Sequence, residues 1–245
     1  MSESAATAAC DSHPVLEPEW LDRPDLPAAA RRRAVADLRR VNRFLFGRRA
    51  AVRAVMGELS GGDSAPLLLD VAAGAGDVGA AVGRAAARRG VPLGIVALDR
   101  ELSHLLLGRR WGEVRSGVVA RAEALPFRDG AFDLTLSTLF FHHLDAGGKA
   151  RVSAEMVRVA RRGALIVDLV RSRWAALALR ALSPLLLLGR IARADGLTSI
   201  DRAWTFDRWS AFFLSEAGEE LPAGVTIDVH RRFPARVSIA LRRPA

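Results

Sequence analysis

The chain has 245 residues, half of them hydrophobic, with a formal net charge of +9 and one cysteine. That length and apolar content suffice for a large core in one decorated domain, and a lone Cys10 excludes a disulfide framework or a cysteine-based metal site within the chain; a reducing cytoplasm fits best. The cations are scattered and, Lys149 apart, all arginine, so the excess charge reads as a compositional bias rather than the clustered footprint of a nucleic-acid surface.

Residues 1–27 are proline-rich and read as irregular, and the start lacks the basic-then-apolar pattern of a signal peptide. One or two helices are expected over 28–59, where Val35, Leu38, Val41 and Leu45 recur at helical spacing opposite an arginine-rich face. Gly61, Gly62, Asp63 and Pro66 mark a break. Short apolar runs at 67–71, 93–98, 118–120, 132–138 and 164–169 then alternate with helical patterns at 80–89, 101–110 and 147–160, which is the rhythm of a parallel sheet. Gly163 stands where the last of these helices should stop. Residues 174–191 are strongly apolar but interrupted by Arg180 and Pro184, so no transmembrane helix is expected and peripheral membrane contact stays open. Phe206, Trp209 and Phe213 follow at helical spacing and read as core. Alternation at Val225, Ile227 and Val229, a turn at Pro234, and alternation at Val237, Ile239 and Leu241 predict a terminal antiparallel hairpin. The fold class expected is α/β: a Rossmann-like, doubly wound, seven-stranded sheet with a C-terminal hairpin and a helical cap.

The stretch LLLDVAAGAGDVG contains G-x-G-x-x-G, a pattern shared by dinucleotide loops and by many tight strand-to-helix turns. Asp70 and Asp77 flank Gly74 and Gly76, and carboxylates there would repel a pyrophosphate. A cationic sulfonium cofactor suits them better. Asp99, ending the second strand, can accept ribose hydroxyls of either cofactor and does not discriminate.

Four stretches in order, LLDVAAGAGDVG, VALDR, ARAEALPFRDGAFDLTLSTLFFHHL and EMVRVARRGALIVDL, resemble the class I S-adenosylmethionine-dependent methyltransferases, nearest the ubiquinone/menaquinone-biosynthesis type. The resemblance covers residues 67–169, and the terminal hairpin fits that family's seven-stranded sheet. It implies S-adenosylmethionine as cofactor. Asp70, Gly74 and Gly76 would surround its methionine end, with Ala72, Ala75 and Asp77 completing the loop, and Asp99 followed by Arg100 would meet the ribose. Arg121, Ala122 and Glu123 fall at the adenine edge, and Thr138 ends the fourth strand nearby. Two positions depart from the family pattern. Arg121 replaces an asparagine or aspartate and is donor-only, so adenine recognition passes to the Ala122 amide helped by Glu123; Ala75 stands where the ubiquinone type has threonine. The stretch DLRRVNRFLFGRR, with Asn42 and Gly47, is similar to the helix that closes over the cofactor.

His142 and His143 follow the fourth strand, where active groups of open α/β sheets gather, and either could take a proton from an acceptor. On an extended segment the two would point opposite ways. Asn42, Asp195, Arg202 and Trp204 form the expected substrate-contact set, the last three from a polar break between apolar pieces. No metal is expected, because no carboxylate or histidine stands at ligand spacing from Asp168, which reads as a loop-organising acid. The expected domain plan is an N-terminal extension at 1–60, a cofactor core at 61–170, a helical substrate cap at 171–218 and a hairpin at 219–245. The function expected is methyl transfer to oxygen or carbon of an apolar phenol, polyketide-like molecule or quinone precursor in the cytoplasm. RNA or DNA methylation, or cofactor binding without methylation, are the alternatives, with a dehydrogenase more distant.

Overall fold

The computed structural model describes residues 19–44, 47–59, 65–217 and 220–244; Cys10, Leu45, Gly61, Gly62 and Asp63 lie outside them. Strands β1 (Leu67–Val71), β2 (Gly94–Asp99), β3 (Ser116–Val119), β4 (Phe132–Thr138), β5 (Ala160–Leu169), β6 (Thr226–Arg232) and β7 (Arg236–Arg242) form one sheet in the order β3-β2-β1-β4-β5-β7-β6. The first five are parallel, and β7 runs antiparallel between β5 and β6. The expected hairpin is therefore present, with its second strand docked on the parallel sheet.

Helices α1 (Ala28–Phe44) and α2 (Gly47–Glu58) precede the sheet. Then come α3 (Asp77–Ala87), α4 (Leu102–Arg110) and α5 (Ala146–Val159) between strands, and α6 (Arg173–Leu182), α7 (Arg190–Arg202) and α8 (Phe206–Ala211) before the hairpin. Strand pleating explains the two apolar layers. Leu68 faces Val55 of α2 and Val82 of α3, whereas Leu69 and Val71 belong to the layer with Met156 of α5 and Trp209 of α8. Burying one leucine-sized side chain in either layer contributes about 1.5–3 kcal/mol.

Two elements differ from their sequence pattern. β5 begins at Ala160 rather than 164, because the charged Arg161 and Arg162, which pair with Asp133 and donate to the Glu58 carbonyl, hide the strand start. Gly163 consequently does not stop a helix. It lies inside β5, where a Cβ would meet the Leu241 carbonyl oxygen at 2.2 Å, so glycine is required for β7 to approach. Likewise α3 starts at Asp77, immediately after Gly76 takes the left-handed conformation at φ 72°.

Candidate active site

The loop after β1 turns through three left-handed residues, Ala72 at φ 55°, Gly74 at 56° and Gly76 at 72°. A Cβ on Gly76 would meet Val114 Cγ2 at 2.5 Å, whereas one on Gly74 would meet nothing within 4 Å. Gly76 is thus demanded by packing, and Gly74 by the turn, which leaves open space above its Cα. Gly79 has a different reason: a Cβ there would lie 2.6 Å from Asp70 Oδ2. The third glycine of the motif admits a carboxylate against the start of α3.

That carboxylate is buried, and neither oxygen has a hydrogen-bond partner among the described residues. Burial, followed by the charge of Asp77, pushes the Asp70 carboxyl up to about 7; the Gly79 amide and Asp99 act more weakly, in opposite directions. Asp99 holds the loop from β2, its Oδ2 accepting from the Gly74 amide at 2.7 Å and its Oδ1 from Glu101 N at 2.8 Å. Asp77 accepts from Arg48 Nε at 3.0 Å and from Asn42 Nδ2 at 3.4 Å, which ties α1 and α2 to the loop. Burial raises the Asp77 carboxyl despite the opposing Arg48 cation. Asp77 lines the open side of this turn, with Asp70 buried behind it and Asp99 holding it from β2.

A cavity of about 250 Å³ opens beside this loop, between α1, the end of β4, the α6–α7 pair and the start of β7. Ala72, Gly74, Ala75 and Asp77 line one side, and Leu179 and Ile200 of the helical pair line another. Thr138, His142 and His143 meet it at the carboxyl end of β4.

Here the chain does not stay extended. Phe141–His143 forms a 3₁₀ turn that brings the two imidazoles side by side, 4.3 Å between centroids, instead of on opposite faces. Asp168, at the end of β5, builds this turn: its Oδ2 accepts from Phe140 N at 3.1 Å and His142 N at 3.2 Å, and its Oδ1 from Leu169 N at 2.6 Å. His142 Nδ1 lies 2.6 Å from Asp168 Oδ1. Burial opposes ionisation of Asp168, but its interaction and hydrogen bond with His142 outweigh it and hold the carboxyl below its ordinary range. Asp168 organises the loop as expected, and space supplies the histidine neighbour that sequence spacing did not show. His142 Nε2 is buried without a partner among the described residues.

His143 differs. Burial, and then the neighbouring His142, hold it well below the usual imidazole value, and its Nδ1 lies 3.9 Å from Glu19 Oε1. Burial also carries the Glu19 carboxyl up to about 7, although His142, Ser199 and Arg202 favour its charge. Glu19, His142 and His143 bring ligand atoms within 4.8 Å of one another, a grouping able to take a metal ion. Arg202 Nη1, 3.5 Å from Glu19, supplies a cation there already.

The remaining sequence candidates separate. Arg121 and Glu123 form a surface pair at 3.3 Å beside the buried Ala122, and Arg100 stands exposed 3.8 Å from Glu101. Asp195 is not in a polar break; it is buried within α7, borders the cavity, and accepts from the amides of Trp20 at 2.8 Å and Leu21 at 3.1 Å. Trp204 packs in the core, 5.1 Å from Trp209, with Lys149 Nζ 4.0 Å above its ring. It does not line the cavity. Two residues that do, Glu19 and Arg236, carry no sequence signal. Glu19 sits in a segment read as irregular, and Arg236 is one of many arginines. Arg236 is buried beside Leu169 across the β5–β7 ladder, its Nε without a partner among the described residues. Burial lowers the guanidinium to about 10, with Asp168 opposing.

Residues 69–167 match the family described as a methyltransferase domain. Among solved structures, the chain resembles a SAM-dependent methyltransferase from Aquifex aeolicus at 15% identity and TM-score 0.51, covering 79% of this chain and 89% of that one. It resembles the plantazolicin methyltransferase BpumL in complex with a pentazolic desmethylPZN analog and SAH at 11% identity and TM-score 0.64, over 88% and 91% of the two chains. Human N-acetylserotonin methyltransferase in complex with SAM aligns at 13% identity and TM-score 0.59, over 89% of this chain and 57% of the human one. No curated protein matches the sequence significantly. Residues 69–167 thus match a methyltransferase domain, and the chain shares its fold with these methyltransferase structures.

Proposed function

We propose that the protein methylates an apolar small molecule, a phenol, polyketide-like compound or quinone precursor, at oxygen or an acidic carbon, and that His142 is the base. The observation that carries this reading is the buried His142–Asp168 pair with His142 Nε2 left without a partner at the cavity. Asp168 accepts the Nδ1 proton, which fixes the tautomer whose Nε2 is an acceptor. In the step proposed, Nε2 takes the proton of the acceptor as its oxygen or carbon gains the methyl group, and Asp168 stabilises the imidazolium formed. S-adenosylmethionine supplies, when bound, an electrophilic methyl on a positively charged sulfur. Asp70, Asp77 and Asp99 favour that charge, with Ala72, Gly74, Ala75, Gly76 and Thr138 shaping its seat and Arg100, Arg121, Ala122 and Glu123 offered to the nucleoside end.

Apolar side chains from α1, α6 and α7 exclude water from the cavity, and Arg236 favours an acceptor whose reacting oxygen carries negative charge. Asn42 and Asp195 border the cavity themselves, Asn42 also holding Asp77 and Asp195 the Trp20 and Leu21 amides, whereas Arg202 acts through Glu19. Within the domain plan, residues 1–60 and 171–218 act as the covers of a core at 61–170, completed by the hairpin at 219–245. The acceptor chemistry is in keeping with the ubiquinone/menaquinone type. Incubation with methyl-labelled cofactor and a panel of phenols and quinone precursors should label a small molecule; label found only in added RNA or DNA, or in nothing, would sink the reading.

A further inference from the structure

The side of α6 turned away from the cavity is bare. Trp174 is 79% exposed and Leu177 54%, and the following loop holds Leu185 and Leu187 at 78% and 72%. On the inner side of the same helix Leu179 is buried at the cavity wall. Helical spacing sets Trp174, Leu177 and Ala181 on one stripe, with Arg173 and Arg180 along its flank. From residue 169 to 194 the sequence contains arginines but no aspartate or glutamate.

We propose that this surface docks on an anionic lipid bilayer, with Trp174, Leu185 and Leu187 at the headgroup boundary and Arg173, Arg180 and Arg190 against lipid phosphates. Exposed leucine and tryptophan gain by leaving water, and guanidinium groups gain from the negative surface potential. Among the described residues no helix is long and apolar enough to cross a membrane, so α6 lies along the surface rather than through it. A second copy of the chain is the poorer occupant. A two-fold contact through this face would set the arginines of one copy against those of the other, with no carboxylate in the segment to separate them.

Sedimentation with vesicles, without acceptor or cofactor, tests this independently of the base and substrate assignments. The protein should pellet with phosphatidylcholine vesicles containing one-third phosphatidylglycerol, far less with phosphatidylcholine alone, and less as salt is added. Arg173→Gln and Arg180→Gln should each weaken the partition about fivefold, and Trp174→Ser combined with Leu185→Ser at least about tenfold. These exposed positions leave thermal unfolding at the wild-type temperature, which separates lost docking from lost folding. Three outcomes would overturn the proposal: no pelleting with the anionic vesicles at low salt, equal binding to both lipids, or a wild-type dimer that the Trp174→Ser, Leu185→Ser variant converts to monomer.

Discussion

The two halves of the cavity wall are built by different means. On the cofactor side, β1, β2 and the loop between β1 and α3 lie within 33 residues of sequence, with Asp70 and Asp77 beside the turn and Asp99 reaching it from the end of β2. On the acceptor side, Glu19 precedes α1, and His142, Asp168, Arg202 and Arg236 come from four separate elements; they meet only because the sheet and its covers fold first. A local site tolerates drift elsewhere in the chain; a converging one depends on every element that delivers a residue to it.

The largest test of this contrast falls on the acceptor side. His142→Ala should lower kcat by about 10² to 10⁴ while leaving S-adenosylhomocysteine affinity, measured by calorimetry, within about twofold. Equal losses in both would mean that the pair holds the fold rather than the proton. On the cofactor side, Asp99→Ala removes a carboxylate that accepts two amide bonds and stands at the end of β2. S-adenosylhomocysteine affinity should fall about 10- to 100-fold, at about 1.5–3 kcal/mol for hydrogen bonds to a charged group. An unchanged affinity would refute the ribose assignment.

Arg236 should behave in the opposite sense to a structural arginine. Its guanidinium is buried without a carboxylate partner among the described residues, so Arg236→Met should raise unfolding stability by about 1–3 kcal/mol while raising KM for a phenolic acceptor. Loss of stability in denaturant titration would instead mark it as a packing residue. A further effect concerns pH. Asp70 holds its proton up to about 7 in the fold, against an ordinary 3.8. Between those values the folded chain keeps a proton that the unfolded chain has released, so stability falls as pH rises across the window. Asp70→Asn should flatten that dependence by no more than about 4 kcal/mol. Thermal unfolding at pH 5 and pH 7 measures it, and an unaltered slope would show that Glu19, also raised to about 7, carries the effect.

Local chemistry explains what could be read in advance. β1 and β4 run over the same residues as the strands expected there, since most positions on both faces are buried. The start of β5 is harder to read, since Arg161 and Arg162 are charged and imitate a loop. The charges around Gly74 pointed to a cation because loop and acids are neighbours in sequence. The imidazole pairing did not, because His142 and Asp168 are 26 residues apart and meet only when β4 and β5 pair. Asp195 and Trp204 show the same limit: one serves the amides of Trp20 and Leu21, the other a cation in the core, and neither partner is near in sequence.

Lys149 is the only lysine in the chain, and it is buried, its ammonium above Trp204 and donating to the Leu144 carbonyl. The folded surface therefore offers no lysine to acylating reagents. Acetylation at this position would occur only during excursions that separate α5 from Trp204, so its rate reports how often that part of the core opens, a clock read by mass spectrometry from a single site.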